Sequence, residues 1–210
     1  MVAFLLGCAA KEPLASFYVL GQSQRTRSAR GGGKAVYVSR VEVPAYLAKT
    51  SLVTMKGGIE VQYSVAARWA EPLDQGISRA VADALSQYSG LRAYSFSPAV
   101  PPPGHDYNVH IRIQRFQGDD NGQVTLQGRW EVTTTDSSEA IASGKVNLQR
   151  NGWQPGDYAG LVRLLSAEIN EMSRQIARSI RSGAASLPYR LPKSLGLRCV
   201  QNRPPALENP

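Results

Sequence analysis

Few residues in this chain are placed to do covalent chemistry, and the first is Cys8. It closes Leu5-Leu6-Gly7-Cys8 at the end of a short apolar run, which fits a bacterial lipobox, where a small residue precedes the modified cysteine. The chemistry needs a thiol there, because diacylglycerol is attached through a thioether. A signal peptidase then cuts before the cysteine, and the freed amine is acylated. Several acyl chains, at ~0.8 kcal/mol per buried methylene, make a stable anchor. The run before Cys8 is too short for a complete signal peptide and lacks a positive n-region, which implies a start upstream of Met1 or a leader already cut. Ala9 follows the cysteine. An aspartate there would favour retention at the inner membrane, so the expected destination is the outer one. Cys199 stands near the opposite end, at no metal-ligand spacing, and acylation of Cys8 would leave it unpaired.

The remaining candidates do not assemble into a catalytic set. His105 lies in a proline-rich stretch. His110 falls on the polar face of a strand pattern, within reach of Asp106 or Glu131, and reads as a surface histidine. Asp119 and Asp120 belong to a turn, where short carboxylates stabilise local backbone geometry. No serine sits in a nucleophile elbow, and no His/Cys/Asp cluster has metal-ligand spacing. Gly31-Gly32-Gly33 is not a phosphate loop, because Lys34 opens a strand and the required Lys-Ser/Thr at a helix start is missing. The expectation is a non-enzymatic protein without cofactor or metal.

The elements that must position these residues follow from periodicity. Ser16 to Leu20 suits a short strand. Val36, Val38, Val41 and Val43 mark another, ended by Pro44, which cannot donate to a ladder. Ala45 to Ala48 suits one helical turn. Leu52 to Met55 and Ile59 to Tyr63 flank Lys56-Gly57-Gly58, a hairpin signal. A helix is expected from Pro72 to Tyr88, with Leu73, Ile77, Ala80, Val81, Ala84, Leu85 and Tyr88 on one face and Gly90 as its stop. Leu91 to Phe96 suits a strand, and Ser97 to Gly104, with four prolines, a stiff loop. Tyr107 to Gln114, Val124 to Thr133 and Ala142 to Arg150 alternate apolar and polar residues, with turns at Asp119–Gly122 and Asp136–Glu139. Asp157 can cap a second helix, Tyr158 to Arg181, whose stripe is Leu161, Val162, Leu165, Ile169, Met172, Ile176 and Ile180. Strands with one apolar face need a covering layer on that side only. The expected fold is α+β: a mainly antiparallel sheet with two long amphipathic helices packed on one face.

The chain has 210 residues, a formal net charge of +8 and 42% hydrophobic residues, enough for a single core. The cations are dispersed. Arg25, Arg27, Arg30 and Lys34 lie in a Gly/Ser-rich stretch, Arg174, Arg178 and Arg181 late in a helix, and Arg190, Lys193, Arg198 and Arg203 in the tail. This pattern favours solvated charge over a nucleic-acid surface, with anionic headgroups as a further candidate. No stretch is long and apolar enough to span a bilayer as a helix. The expected division is 1–8 truncated signal peptide and lipobox, 9–34 tether with one short strand, 35–183 a single α+β domain, and 184–210 a tail with little order.

Two stretches resemble a known family. Val41-Glu42-Val43-Pro44-Ala45-Tyr46-Leu47, followed by Arg68-Trp69-Ala70-Glu71-Pro72-Leu73, is similar to the PqiC/YmbA family, the auxiliary lipoproteins of ABC-type intermembrane transport systems. Phe17-Tyr18-Val19-Leu20 matches the family's first short strand after the lipidated cysteine. The resemblance implies an outer-membrane lipoprotein on the periplasmic face, acylated at Cys8, serving intermembrane phospholipid transport and membrane integrity. Its implied partners are an MCE-domain periplasmic protein and, through it, an ABC permease and ATPase, with phospholipid contact and homo-oligomers also in view. Pro44, Tyr46, Leu47, Arg68, Trp69 and Pro72 are the motif residues that such a partner would meet, although aromatic residues such as Tyr46 and Trp69 are more often core anchors. Two alternatives stay open. One is an envelope lipoprotein with an unrelated outer-membrane assembly or cell-wall-binding role. The other is a basic nucleic-acid-binding protein in which the LLGC sequence is accidental.

Overall fold

The computed structural model describes residues 14–21, 33–88, 90–96, 103–137 and 139–186. Cys8, the Gly31-Gly32 pair, most of the proline-rich loop, Cys199 and the tail lie outside the described residues.

Among the described residues, seven strands and two helices are arranged around one long strand. In chain order the elements are β1 (Ser16–Tyr18), β2 (Lys34–Val38), β3 (Ser51–Lys56), β4 (Glu60–Trp69), α1 (Leu73–Leu85), β5 (Leu91–Ser95), β6 (Tyr107–Asp119), β7 (Gln123–Thr134), β8 (Ala140–Asn151) and α2 (Tyr158–Ser186). The central strand is β6. On one edge it pairs antiparallel with β7 from Tyr107↔Thr134 to Gly118↔Val124, and β7 continues antiparallel to β8. On its other edge two short strands lie end to end. β2 pairs with the start of β6 (Val36↔Tyr107 to Val38↔Val109), and β3 with its end (Thr54↔Gly118, Met55↔Asp119). β5 lies outside β2, while β4 and then β1 lie outside β3.

The sheet is therefore mixed, which corrects the expectation of a mainly antiparallel one. Among the described residues, four of the seven strand pairings are parallel: β1 with β4, β2 with β5, β2 with β6, and β3 with β6. The physical reason lies in chain connection. The β3–β4, β6–β7 and β7–β8 pairs are joined by tight turns, which force antiparallel pairing. The short strands β1, β2, β3 and β5 find partners far away in sequence, and their apolar pattern carries no direction. Two boundaries also differ. β2 ends at Val38, and β4 runs on to Trp69 instead of leading directly into the helix.

Alternation decides which face is covered. In β6, Val109, Ile111 and Ile113 are buried while His110 and Arg112 are exposed, and in β7 Leu126, Trp130 and Val132 are buried while Arg129 and Glu131 are exposed. α1 lies against β2 and β5, α2 lies against β6, β7 and β8, and the helices touch each other. α1 is shorter than expected, 13 residues against 29 for α2. Its entry is set by Pro72, whose carbonyl accepts from the amides of Gln75 and Gly76 at 3.1 and 2.9 Å. The second entry is capped as the sequence suggested: Asp157 Oδ1 accepts from the Gly160 amide at 2.8 Å. Close approach is arranged by small residues. A Cβ on Gly144 would lie 2.5 Å from the Trp130 ring, and one on Gly118 would lie 2.7 Å from that of Trp153.

One charge is buried beneath α2. The Glu168 side chain is 1% exposed, and Arg150 Nε lies 2.7 Å from its Oε1. Neither carboxylate oxygen receives an aligned hydrogen bond among the described residues. Burial pushes this carboxyl above its ordinary range, and Arg150 pulls part of that shift back.

Two outcomes are expected. Gly144→Val should destabilise by about 1–3 kcal/mol, because the Trp130 ring has no room to yield. Arg150→Ala should cost roughly 3 kcal/mol near pH 8 by leaving the Glu168 charge buried and unpaired. The folded state holds the Glu168 proton more tightly than the unfolded state does. Stability therefore falls as pH rises through the folded-state pKa, and the cost of Arg150→Ala should shrink on acidification. Urea unfolding at several pH values reads both.

Candidate functional site

The two motif stretches meet at the far end of β6. After β2 the chain continues along the same edge, where the Glu42 amide donates to the Ile111 carbonyl at 2.9 Å and the Glu42 carbonyl accepts from Ile113 at 2.8 Å. Val41 and Leu47 point into the core. The Pro44 carbonyl accepts from the Leu47 amide at 2.9 Å and closes a turn. That turn places the Tyr46 hydroxyl 2.9 Å from Gln117 Oε1 and 3.1 Å from the Gln114 carbonyl, two acceptors that share its single proton. Gln114 is the residue left unpaired where β6 slips register against β7, and Gln117 lies just beyond that irregularity. Partial burial pushes the Tyr46 phenol up, with Arg115 opposing the shift, so the hydroxyl stays protonated at neutral pH and donates.

The second motif packs beside it. Trp69 is buried and stacks on Phe116 with ring centroids 6.4 Å apart. Its amide donates to the Thr50 carbonyl at 2.7 Å, and the Ala70 amide donates to Tyr18 at 2.9 Å. Glu71 pairs with Arg79, whose Nη2 also donates to the Leu20 carbonyl at 3.0 Å. Leu47 and Trp69 thus belong to the core, Pro44 and Tyr46 are half-buried, and Arg68 and Pro72 are exposed. The motifs pack together beside the end of β6 that pairs with β3.

The polar face of the sheet holds an open depression of about 680 Å³ that reaches from Ser39 and Glu42 across β6 and β7 to Lys145. Strand register brings three cations into one row, Arg112 opposite Arg129 and Arg129 opposite Lys145. Glu42 extends the row through its bridge to Arg112 and lies 2.5 Å from Arg112 Nε. That hydrogen bond holds the Glu42 carboxyl below its ordinary range. Among the described residues, neither Arg129 nor Lys145 lies within ion-pairing distance of a carboxylate. The alternation of polar residues showed this face in the sequence. The cation row was not read there, because it depends on cross-strand register.

His110 does lie opposite Glu131, but its Nδ1 is 3.2 Å from Ser39 Oγ. Asp106 instead binds Lys34 Nζ and the Ala35 amide, both at 2.7 Å. Among the described residues, no group of three or more His, Cys, Asp or Glu is placed to hold a metal, and no helix is long and apolar enough to cross a membrane.

The family described as ABC-type transport auxiliary lipoprotein component matches residues 18–177, from the end of β1 through most of α2, and the chain belongs to that family. It is similar to the intermembrane transport lipoprotein PqiC of Escherichia coli (strain K12) and of Shigella flexneri. It is 27% identical to each over 183 residues, which cover 85% of this chain and 92% of the relative. Two crystal structures share the fold. One, of an uncharacterized protein, has a TM-score of 0.66 at 23% identity and covers 80% of this chain and 99% of that one. The other, of protein XCC0632 from Xanthomonas campestris, has a TM-score of 0.62 at 13% identity and covers 81% and 100%.

Tyr46→Phe removes a hydrogen bond and leaves Gln117, itself buried, short of a donor. It should cost about 1–2 kcal/mol in urea unfolding. Arg129→Gln relieves like charges held opposite each other, so it should leave stability unchanged or raise it by a few tenths of a kcal/mol, most clearly at low salt.

Proposed function

We propose that this chain is a non-catalytic accessory lipoprotein, acylated at Cys8 and held on the periplasmic face of the outer membrane, that serves an intermembrane phospholipid transport system by engaging an MCE-domain periplasmic protein and, through it, an ABC permease and ATPase. The observation that carries this reading is the family match, which spans nearly the whole described fold. The similarity to intermembrane transport lipoproteins supports the transport role. The lipobox pattern at Cys8 supports the anchor, and Ala9 after it supports the outer membrane.

On this reading the contribution is positional. An anchor followed by a short tether confines the domain near the bilayer and raises the effective concentration of its docking surface for the transporter's periplasmic part. Arg68 and Pro72, exposed residues of the second motif, are candidate contacts, beside the open polar face of the sheet. The depression on the polar face of the sheet is open to solvent, which suits docking better than solvent-excluded chemistry.

The test uses the full chain behind a working signal peptide, expressed in cells fed a labelled fatty acid. Label should appear on the wild type and vanish in Cys8→Ala. From detergent-solubilised envelopes, the wild type should co-purify with an MCE-domain protein. Absence of label, or recovery of an outer-membrane assembly factor in place of the MCE protein, would overturn the reading.

A further inference from the structure

Seven large hydrophobic side chains are exposed among the described residues: Leu14, Phe17, Val19, Ile59, Tyr63, Val65 and Tyr94. Six of them, all but Tyr94, fall on β1, on β4 or within two residues of these strands. Scattered exposed apolar residues need no explanation, but six along two paired strands at the edge of a sheet mark a contact. Exposure is nearly complete where it matters most: Ile59 at 90%, Leu14 at 89%, Val65 at 74% and Phe17 at 65%. Ile59 stands at the tip of the β3–β4 hairpin, directly after Gly57 and Gly58, both at positive φ. No other side chain of the turn shields it.

Chain geometry says what lies opposite this corner. β1 runs parallel to β4, with Ser16 beside Ala67 and Phe17 beside Arg68. The chain upstream of Ser16 therefore enters from the side of the hairpin tip. The same number of residues separates Ser16 from Cys8 as separates Ala67 from Ile59. At about 3.5 Å per extended residue, Cys8 can reach the level of the tip and little beyond it. An acylated Cys8 keeps its sulfur at the bilayer surface, so the described segment closest to that surface along the chain is Leu14 to Tyr18, and β4, paired to it, points its hairpin end to the same side.

We propose that the β1–β4 corner is a membrane-contact surface, in which the β3–β4 hairpin tip inserts Ile59 into the bilayer that holds the Cys8 anchor and so sets the orientation of the domain. The proposal rests on acylation at Cys8. The contact is apolar. Lys56 and Glu60 flank the tip with opposite charges, and the neighbouring Asp120 is engaged by the Gly57 amide at 3.1 Å. Anionic lipid is therefore not required. A tip that dips in beside the anchor leaves the β7–β8 turn, at the opposite end of the sheet, facing away from the membrane.

The experiment uses the acylated full chain carrying Cys199→Ser and a single added cysteine, Ile59→Cys or Asp136→Cys, labelled with an environment-sensitive fluorophore. The protein is reconstituted into vesicles of phosphatidylethanolamine and phosphatidylcholine, with or without phosphatidylglycerol, and co-flotation is measured on the same samples. Expected are a blue shift and quenching by lipids carrying a spin label in the acyl region for the position 59 label, similar in both vesicle types, and neither for the position 136 label. Flotation with a water-exposed label at 59 would overturn the proposal while leaving the anchor intact. A blue shift without vesicles that grows with protein concentration would assign the tip to a second copy and also overturn it. Failure to float would overturn the anchor reading, and this proposal with it.

Discussion

Hydrogen bonding along the second edge of β6 is the constraint on which the rest of this structure depends. β6 is 13 residues long, and every buried amide and carbonyl on it needs a partner. β7 supplies them along one edge. On the other edge no single strand is long enough, and the chain satisfies it piecewise. β2 covers the start, Glu42 bridges the middle and β3 covers the end. Because β2 and β3 run in the same direction, the segment between them must stay on the sheet. Pro44, Tyr46 and Leu47 do that by closing a turn, clamping the irregular part of β6 and filling the core.

That solution separates the two ends of the molecule. Beyond β2 lies β5, backed by α1. Beyond β3 lie β4 and β1, ending at an apolar edge. The Trp69–Phe116 stack and the Arg79 ties to Glu71 and the Leu20 carbonyl connect this edge to α1 and to the central strand. The amino-terminal strand is therefore fastened to the body of the fold.

The helices cover one face and leave the other to charge. The covered face shows only small departures from apolar packing, of which Glu168 is the most costly because its desolvation is only partly offset by Arg150. The open face carries Arg112, Arg129 and Lys145 in one row, an arrangement that works against stability and is tolerated because water screens it.

Much of this was legible from the amino acids alone. The alternation in β6, β7 and β8, the β3–β4 hairpin, the Asp157 cap and the stripe of α2 each express a local rule, periodicity or turn chemistry, that acts over a few residues. The family could be recognised for a related reason: its two motifs are short and contiguous, and the family match agrees with them. What the residues did not disclose is how distant segments pair. The parallel partners of β1, β2, β3 and β5, the convergence of Tyr46 and Trp69 on one end of β6, the cation row and the placing of Phe17 beside Arg68 all require register between segments far apart in sequence. Periodicity assigns a residue to a face of its own strand, but only tertiary hydrogen bonding decides which strand lies beside it and in which direction.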